Sequence, residues 1–475
     1  MSLDRGLPLT RAVPLADPQA ALAAIAHLPY PFLLQSALED ERARWSFFGA
    51  DPFAVHRGDT YDEAVAVWRA LSARVRREDP APGLVPFTGG VVGYWAYDFG
   101  RRLERLPSRA VDDLRLPDAL LGFYDVVGAF DHQGRDAWLF SSGLPRGDET
   151  RLAHAQRRLD KFEWLLTSGR RGEARRPDPG ARGETATSSM SADRYRGAVE
   201  EVKEHIRRGD IFQANLSQRW TLPLGFAVPA AVGQLLHEAL VRFSPAPYAA
   251  YFSAPDHAVV SASPERFLSL RGETVETRPI KGTRPRGLDP AEDARMRAEL
   301  LASAKDRAEN VMIVDVLRND LGRVCEAGSV RTPALCELEV FPQVFHLTST
   351  VTGRLRAGLD AIDLLHACFP GGSITGAPKI RAMEIIDAIE PVRRHVYTGS
   401  IGYCDWRGDA DWNIAIRTAL VTPGALHFCC GGGIIADSDP EAEYRETLDK
   451  AEGMRRALSE LFGAVALVPP AVTSR

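Results

Sequence analysis

The sequence predicts an α+β protein. Three observations predict it: short strand-like runs before residue 169, helical patterns set between them, and, past a polar break, a capped helix leading directly into an alternating strand. In chain order, Phe32-Leu33-Leu34-Gln35-Ser36 and Trp45-Ser46-Phe47-Phe48-Gly49 read as strands, and Thr88-Gly89-Gly90-Val91-Val92-Gly93-Tyr94 as a glycine-bent one. Apolar spacing predicts helices around Asp62 to Arg76 and Arg151 to Leu166. Between Gly169 and Ser191 the chain is too polar and broken to pack, so a mobile linker is expected over 169–190. It separates an N-terminal region, 1–168, from a second region, 191–465, with a tail over 466–475.

After the linker, Ser191 can cap a helix whose apolar residues Tyr195, Val199, Val202 and Ile206 recur at helical spacing, ending at Gly209. In Phe212-Gln213-Ala214-Asn215-Leu216-Ser217 apolar side chains alternate with amides and a hydroxyl, giving a strand with one polar face. That pattern fits a solvated face and a site wall alike. Asn413, Ala415, Arg417 and Ala419 share one face of a later strand, where Arg417 projects alone among small residues. A guanidinium so placed serves as a solvent-facing charge or as a fork for a carboxylate.

With 475 residues, 45% hydrophobic and 25% charged, the chain has ordinary globular composition and length for one large domain or two to three smaller ones. A net charge of -5 and a pI near 6.2 carry no footprint for nucleic acid and point to a small-molecule partner. The N-terminus lacks a signal pattern, and no run approaches the roughly eighteen apolar residues of a membrane span, so a cytoplasmic protein with no membrane partner is expected. The six cysteines show neither CxxC spacing nor regular pairing and read as reduced packing residues.

Chemistry concentrates after the linker. In Pro279-Ile280-Lys281-Gly282-Thr283-Arg284-Pro285-Arg286-Gly287 one lysine sits in an apolar, glycine-bounded turn, sixteen positions after Glu265. A lysine amine ordinarily titrates near ~10.4, and poising it near ~7 takes several kcal/mol of desolvation or like-charge repulsion, which Arg284 and Arg286 could supply. Asp306 and Glu309 lie three apart on one helix face, and Glu443 and Glu446 repeat that spacing on a helix opened by Asp439-Pro440. Each pair alone reads as a solvated face; together, as oxygen-only ligands, they suit Mg²⁺. Gly371-Gly372-Ser373-Ile374-Thr375-Gly376-Ala377-Pro378-Lys379 leads into a helix, and Gly431-Gly432-Gly433 permits close backbone approach; both suit an anion, or merely a cap and a bend. Neither matches GxxxxGK[ST].

Taken together these segments, with Ser263-Pro264-Glu265, the stretch from Lys305 to Asp320 and Tyr397-Thr398-Gly399-Ser400-Ile401-Gly402, resemble the chorismate-utilising enzymes of the anthranilate synthase component I family. The likeness covers most of the chain and is nearest to the para-aminobenzoate branch, aminodeoxychorismate synthase component I. Lysine at the third place of Pro-Ile-x-Gly-Thr marks that branch, where anthranilate synthases carry alanine. Gln213 stands where isochorismate and salicylate synthases place a water-activating lysine, which argues against water addition.

The resemblance implies a large multilayer sandwich of antiparallel sheets and helices, anthranilate synthase component I-like, in which both halves intermix. It implies that chorismate and ammonia become 4-amino-4-deoxychorismate through a Lys281-linked intermediate, with Glu265 as general acid/base. Glu309 and Glu446 would hold Mg²⁺ directly, and Asp306 and Glu443 through water; Asp306 is shorter than the family's glutamate. Gln213, Thr283 and His346 would face the ring, and Tyr397, Arg417, Gly431 and Gly433 would hold carboxylates. Ammonia would come from a separate glutamine amidotransferase subunit, because no Gly-x-Cys-x-Gly elbow occurs here. Leu34, Gln35 and Ser36 occupy the family's tryptophan pocket, with Gln35 departing from Leu-Leu-Glu-Ser, so feedback control is not expected although a structural tryptophan remains compatible. The alternatives are anthranilate synthase component I and a non-catalytic tryptophan-binding regulatory subunit.

Overall fold

A computed structural model describes residues 7–38, 44–75, 85–147, 149–168, 185–225, 228–341 and 344–470. Two large sheets organise them, and each draws strands from both halves of the chain. The first, 13-stranded, runs from Leu9–Val13 through Asp136–Ser141, Val126–Asp131, Trp45–Gly49 and Phe32–Gln35. It continues into Tyr248–Ser253, Ala258–Ser263, Thr418–Thr422, Ala425–Ile434, Gln213–Pro223, Thr185–Ser188 and Ala466–Val468. The second, 10-stranded, runs from Ile280–Pro285 through Val344–Arg354, Thr274–Arg278, Arg266–Arg271, Ala410–Asn413 and Ser400–Asp405 to Gly90–Trp95, Ala119–Tyr124 and Ala54–Arg57. The halves join where Leu33 pairs with Tyr251 and where Gly93 pairs with Gly402.

An apolar layer between the sheets contains Phe32, Phe47, Tyr94, Leu120, Tyr124, Phe252, Ile401 and Leu420. Helices Pro18–Ile25, Arg151–Thr167, Pro229–Phe243 and Pro440–Phe462 bury Ile25, Leu159, Leu236 and Leu458 against the first sheet. Tyr61–Ser72, Ala304–Gly322 and Ala361–Cys368 bury Trp68, Val314 and Leu365 against the second. Each fully buried large side chain contributes roughly 2–3 kcal/mol, so these layers dominate the stability. The intermixed sandwich expected from the sequence is the architecture observed.

Two expected helix starts are met: Ser191 caps Ala192–Arg207 by accepting from the Arg194 amide, and Asp439 caps Pro440–Phe462 through the Ala442 amide. Ser303, which the sequence reading did not single out, caps Ala304–Gly322 through the Asp306 amide. All six cysteines are buried and unpaired. No helix among the described residues is long and apolar enough to cross a membrane.

The linker and tail differ from expectation. Residues 169–184 and 471–475 lie outside the described residues, but Thr185–Ser188 is a strand pairing with Trp220 and Thr221, and Ala466–Val468 lies parallel to it. Their side chains are too few to advertise a strand; partners far along the chain supply the hydrogen bonds.

Candidate active site

Lys281 lies on Ile280–Pro285, held against the first turn of Ala304–Gly322. Gly282 makes this approach feasible: its φ is +87°, and a Cβ there would stand 2.9 Å from the Asp306 Cβ. The Lys281 Nζ donates to the Ser373 carbonyl at 3.2 Å. Glu265, on the turn between Ala258–Ser263 and Arg266–Arg271, is 5% exposed. Burial pushes its carboxyl up to about 7, against the pull of the Ser373 hydroxyl, the Lys281 charge and the Ile280 amide. Burial also lowers the Lys281 pKa, with Lys450 adding repulsion while Glu309, Glu265 and Glu446 oppose. The net direction favours the free amine.

Arg284 and Arg286 do not supply the repulsion expected of them. Arg284 is paired with Glu299 at 2.7 Å and Asp306 at 3.3 Å, and Arg286 with Asp293 at 2.6 Å. Their charges are matched locally, and Lys450, which sequence reasoning missed, acts instead. Its only sequence cue is the i,i+4 spacing from Glu446, to which it is bonded at 2.6 Å. Ser373 was also missed; it enters from the glycine-rich turn expected to bind an anion by its backbone.

Both acidic pairs converge here. The Lys305 Nζ stands 4.0 Å from Glu309 and 3.9 Å from Glu443, so one ammonium bridges the two helices. A Cβ on Gly432 would lie 3.1 Å from a Glu443 oxygen and 3.3 Å from a Glu446 oxygen. Burial raises the Glu309 pKa; Lys281 and Lys305 oppose this, and Asp306 and Glu443 reinforce it. Burial raises Glu443 too, with the Ser438 hydroxyl opposing and Glu446 reinforcing. Glu446 meets the same burial, but Lys450, Lys305 and Lys281 bring it below its ordinary value.

Such mutual repulsion around a bridging ammonium marks a place for added positive charge. Among the described residues no group of three or more His, Cys, Asp or Glu side chains could hold a metal by itself. Magnesium retains several waters and takes one or two carboxylates plus an anionic ligand, so this oxygen-only set fits it.

The polar strand closes the other side. Gln213 is fully buried with neither amide atom bonded, and a Cβ on Gly433 would lie 2.5 Å from its Nε2 and 3.5 Å from the Lys281 Nζ. Gly433 and Gly431 pair with Asn215 and Ser217, and the missing side chains let neighbouring groups approach the backbone there. Thr283 bonds the His346 Nδ1 at 2.8 Å. Burial, and then the Arg417 charge, hold His346 down at about 3, so the ring is neutral. Tyr397 is buried beside Cys430, Cys429 and Arg394, and burial raises its phenol far above the ordinary range.

Arg417 reaches its position differently from expectation. Asn413 to Ala419 is not one strand: Ala410–Asn413 ends in the second sheet, the chain crosses over, and Thr418–Thr422 begins in the first. Ile414 and Ala415 amides bond the Glu265 and Gly399 carbonyls, which breaks the alternation, and Arg417 itself has φ +51°. Its guanidinium has no hydrogen bond or ion pair among the described residues, and burial lowers its pKa. An unmatched guanidinium beside a neutral histidine calls for an anion.

Leu34, Gln35 and Ser36 lie apart from Lys281, lining a cavity of about 110 Å³ between the sheets with Tyr248, Arg271 and Trp412. Gln35 accepts from the His237 Nε2 at 2.9 Å, and burial holds that histidine neutral, its pKa down at about 4.

The raised Glu265 pKa carries a stability consequence. Between its unfolded value near 4.5 and about 7 the folded chain keeps a proton the unfolded chain loses, so stability falls across that window and the deficit is complete above it. The full cost is about 3 kcal/mol. Glu265→Gln is therefore expected to raise the melting temperature at pH 8 and leave it nearly unchanged at pH 4. Equal shifts at both pH values would contradict a buried, protonated carboxyl.

Comparison with known proteins agrees with this geometry. Residues 30–456 match the model of the chorismate binding enzyme family. The chain is 43% identical to aminodeoxychorismate synthase component 1 of Klebsiella aerogenes over 440 residues, covering 89% of this chain and 92% of that one. It is 40% identical to anthranilate synthase component 1 of Thermus thermophilus over 467 residues, covering 94% and 96%. The solved anthranilate synthase component I of Streptococcus pneumoniae TIGR4 superposes with a TM-score of 0.72 at 30% identity, covering 88% of this chain and 93% of that one. A buried lysine–glutamate couple, a two-helix carboxylate set and an unmatched arginine, on a fold and sequence shared over nearly the whole length, place the chain in the chorismate binding enzyme family.

Proposed function

We propose that this chain is the first component of an aminodeoxychorismate synthase, converting chorismate and ammonia to 4-amino-4-deoxychorismate in para-aminobenzoate formation. The observation that carries the reading is Lys281 buried at the centre of the site, its pKa lowered by that burial, beside Glu265, whose carboxyl burial holds up at about 7. Arg417 and the open backbone at Gly431 and Gly433 would hold carboxylates, with Tyr397 beside them, while Gln213 and the Thr283–His346 pair face the ring.

The Lys281 nitrogen bonds to ring C2 while the C4–oxygen bond breaks; Glu265 protonates the departing hydroxyl, which leaves as water, and the proton shed by the newly bonded lysine nitrogen restores the Glu265 carboxyl. Ammonia then bonds to C4 as the C2–nitrogen bond breaks; the proton it sheds returns to the lysine, and the free amine is restored. Splitting one displacement in two lowers the barrier of each. Glu309 and Glu446, with Asp306 and Glu443 behind them, would hold magnesium, which would supply positive charge next to the substrate.

A partner glutamine amidotransferase would deliver ammonia, in keeping with "component 1" in the relative's name. The unpaired cysteines suit the cytoplasm. Gln35, lining the cavity with Leu34 and Ser36, brings no negative charge to an ammonium group.

Purified chain supplied with chorismate, Mg²⁺ and ammonium is expected to release a non-fluorescent amino acid that retains the pyruvyl group, and glutamine is not expected to replace ammonium. Anthranilate fluorescence without a partner lyase would favour the anthranilate synthase reading, and glutamine-dependent turnover would remove the separate amidotransferase.

A further inference from the structure

The face that carries Gln213 holds a second amide outside the substrate set described above. Asn215 lies two residues on, so its side chain shares that face. It is 8% exposed, and its Oδ1 is buried with no hydrogen-bond partner among the described residues. Its backbone is fully engaged: the amide donates to the Thr375 carbonyl at 2.8 Å and the carbonyl accepts from Arg394 at 2.6 Å. The side chain is thus held in place without being used. A buried amide left unbonded costs about 1–3 kcal/mol, so two on one face imply a ligand that meets them.

The chemistry of that ligand follows from the surroundings. Across the ladder Asn215 faces Gly433, whose missing side chain lets the Gln213 amide and the Lys281 nitrogen come close to this part of the strand. Ser217, next on the face, is already occupied: its hydroxyl and amide both donate to Glu390 at 2.9 and 2.8 Å. The orphaned groups include two amide oxygens, Gln213 Oε1 and Asn215 Oδ1, which accept and do not donate. A carboxylate-rich ring offers mostly acceptors and satisfies them poorly. Ammonia, with three N–H donors and one lone pair, satisfies both oxygens and keeps the lone pair for attack.

We infer that Asn215, together with Gln213, forms the ammonia-binding site and aims the nucleophile at the ring. This rests on the reading proposed above and adds a residue to it. In the second step the ammonia nitrogen bonds to C4, the ring double bond shifts, the C2–Lys281 bond breaks, and one ammonia proton ends on the lysine nitrogen. Asn215 directs that attack and takes no part in forming the lysine adduct.

The test separates the two steps in the full chain. Asn215→Val is expected to raise the KM for ammonia about tenfold or more, the order of a lost hydrogen bond in a buried site, with the chorismate KM within about twofold of the parent. The mass of the lysine adduct formed with chorismate and no ammonium is expected to be unchanged, and Asn215→Gln is expected to recover part of the ammonia affinity. An unchanged ammonia KM, or equal rises for ammonia and chorismate, would overturn the inference. If Asn215→Val is insoluble, Asn215→Ser answers through the same constants. Failure of the parent chain to form any adduct would instead strike the lysine-linked reading, while the ammonia KM of the variants still reports on Asn215.

Discussion

Lys281→Ala is expected to reduce ammonia-dependent consumption of chorismate by about 10³-fold or more, because it removes the atom that bonds to the ring. The expectation is specific to the free amine. Lys281→Arg keeps a cation in the same place, but a guanidinium does not deprotonate near neutral pH, so it should be as inactive as the alanine variant. Neither change should unfold the chain, since among the described residues the Lys281 Nζ makes one hydrogen bond, to the Ser373 carbonyl. Intact-mass measurement after incubation with chorismate checks the same point: the parent is expected to gain a ring-sized adduct and both variants none. Turnover above a tenth of the parent in the alanine variant would leave Lys281 an electrostatic role at most.

The second large effect concerns the carboxylates around Lys305. Glu309→Gln and Glu446→Gln are each expected to raise the Mg²⁺ concentration for half-maximal activity by about 10- to 100-fold. Asp306→Asn and Glu443→Gln should shift it less, since their oxygens act through water in this reading. A chelator should abolish turnover, and added Mg²⁺ should restore it. A readout independent of activity comes from stability without metal. Glu309 and Glu443 are pushed up by burial and by neighbouring carboxylates, so neutralising either relieves repulsion. Metal-free Glu309→Gln is therefore expected to melt above the parent and lose that advantage in saturating Mg²⁺. Identical Mg²⁺ dependence in all four variants would put the metal elsewhere.

Much of this molecule was legible in local pattern. A hydrophilic cap at Ser191, followed by apolar positions at helical spacing, and the Asp439-Pro440 start specified two helices that flank the site, because capping and amphipathicity act within a few residues. The alternation from Phe212 to Ser217 disclosed a strand with a polar face, and the three-residue spacing in 306/309 and 443/446 put each acidic pair on one side of its helix. Thr185–Ser188 and Ala466–Val468 escaped notice because their strand character comes from pairing with residues far along the chain. Arg417 was singled out on the wrong geometry: a crossover between sheets, not a two-residue period, sets it beside His346.

Residue type and spacing by themselves determined the α+β class, the family likeness and which side chains carry charge, since these depend on propensity, periodicity and motif. Only the folded chain decided that Lys450 and not Arg284 or Arg286 repels Lys281, that Ser373 stands between the lysine and Glu265, and that the Asn215 side-chain oxygen has no partner among the described residues. Those facts depend on distance and on exclusion from water, and both arise when segments separated by tens to hundreds of residues are pressed together.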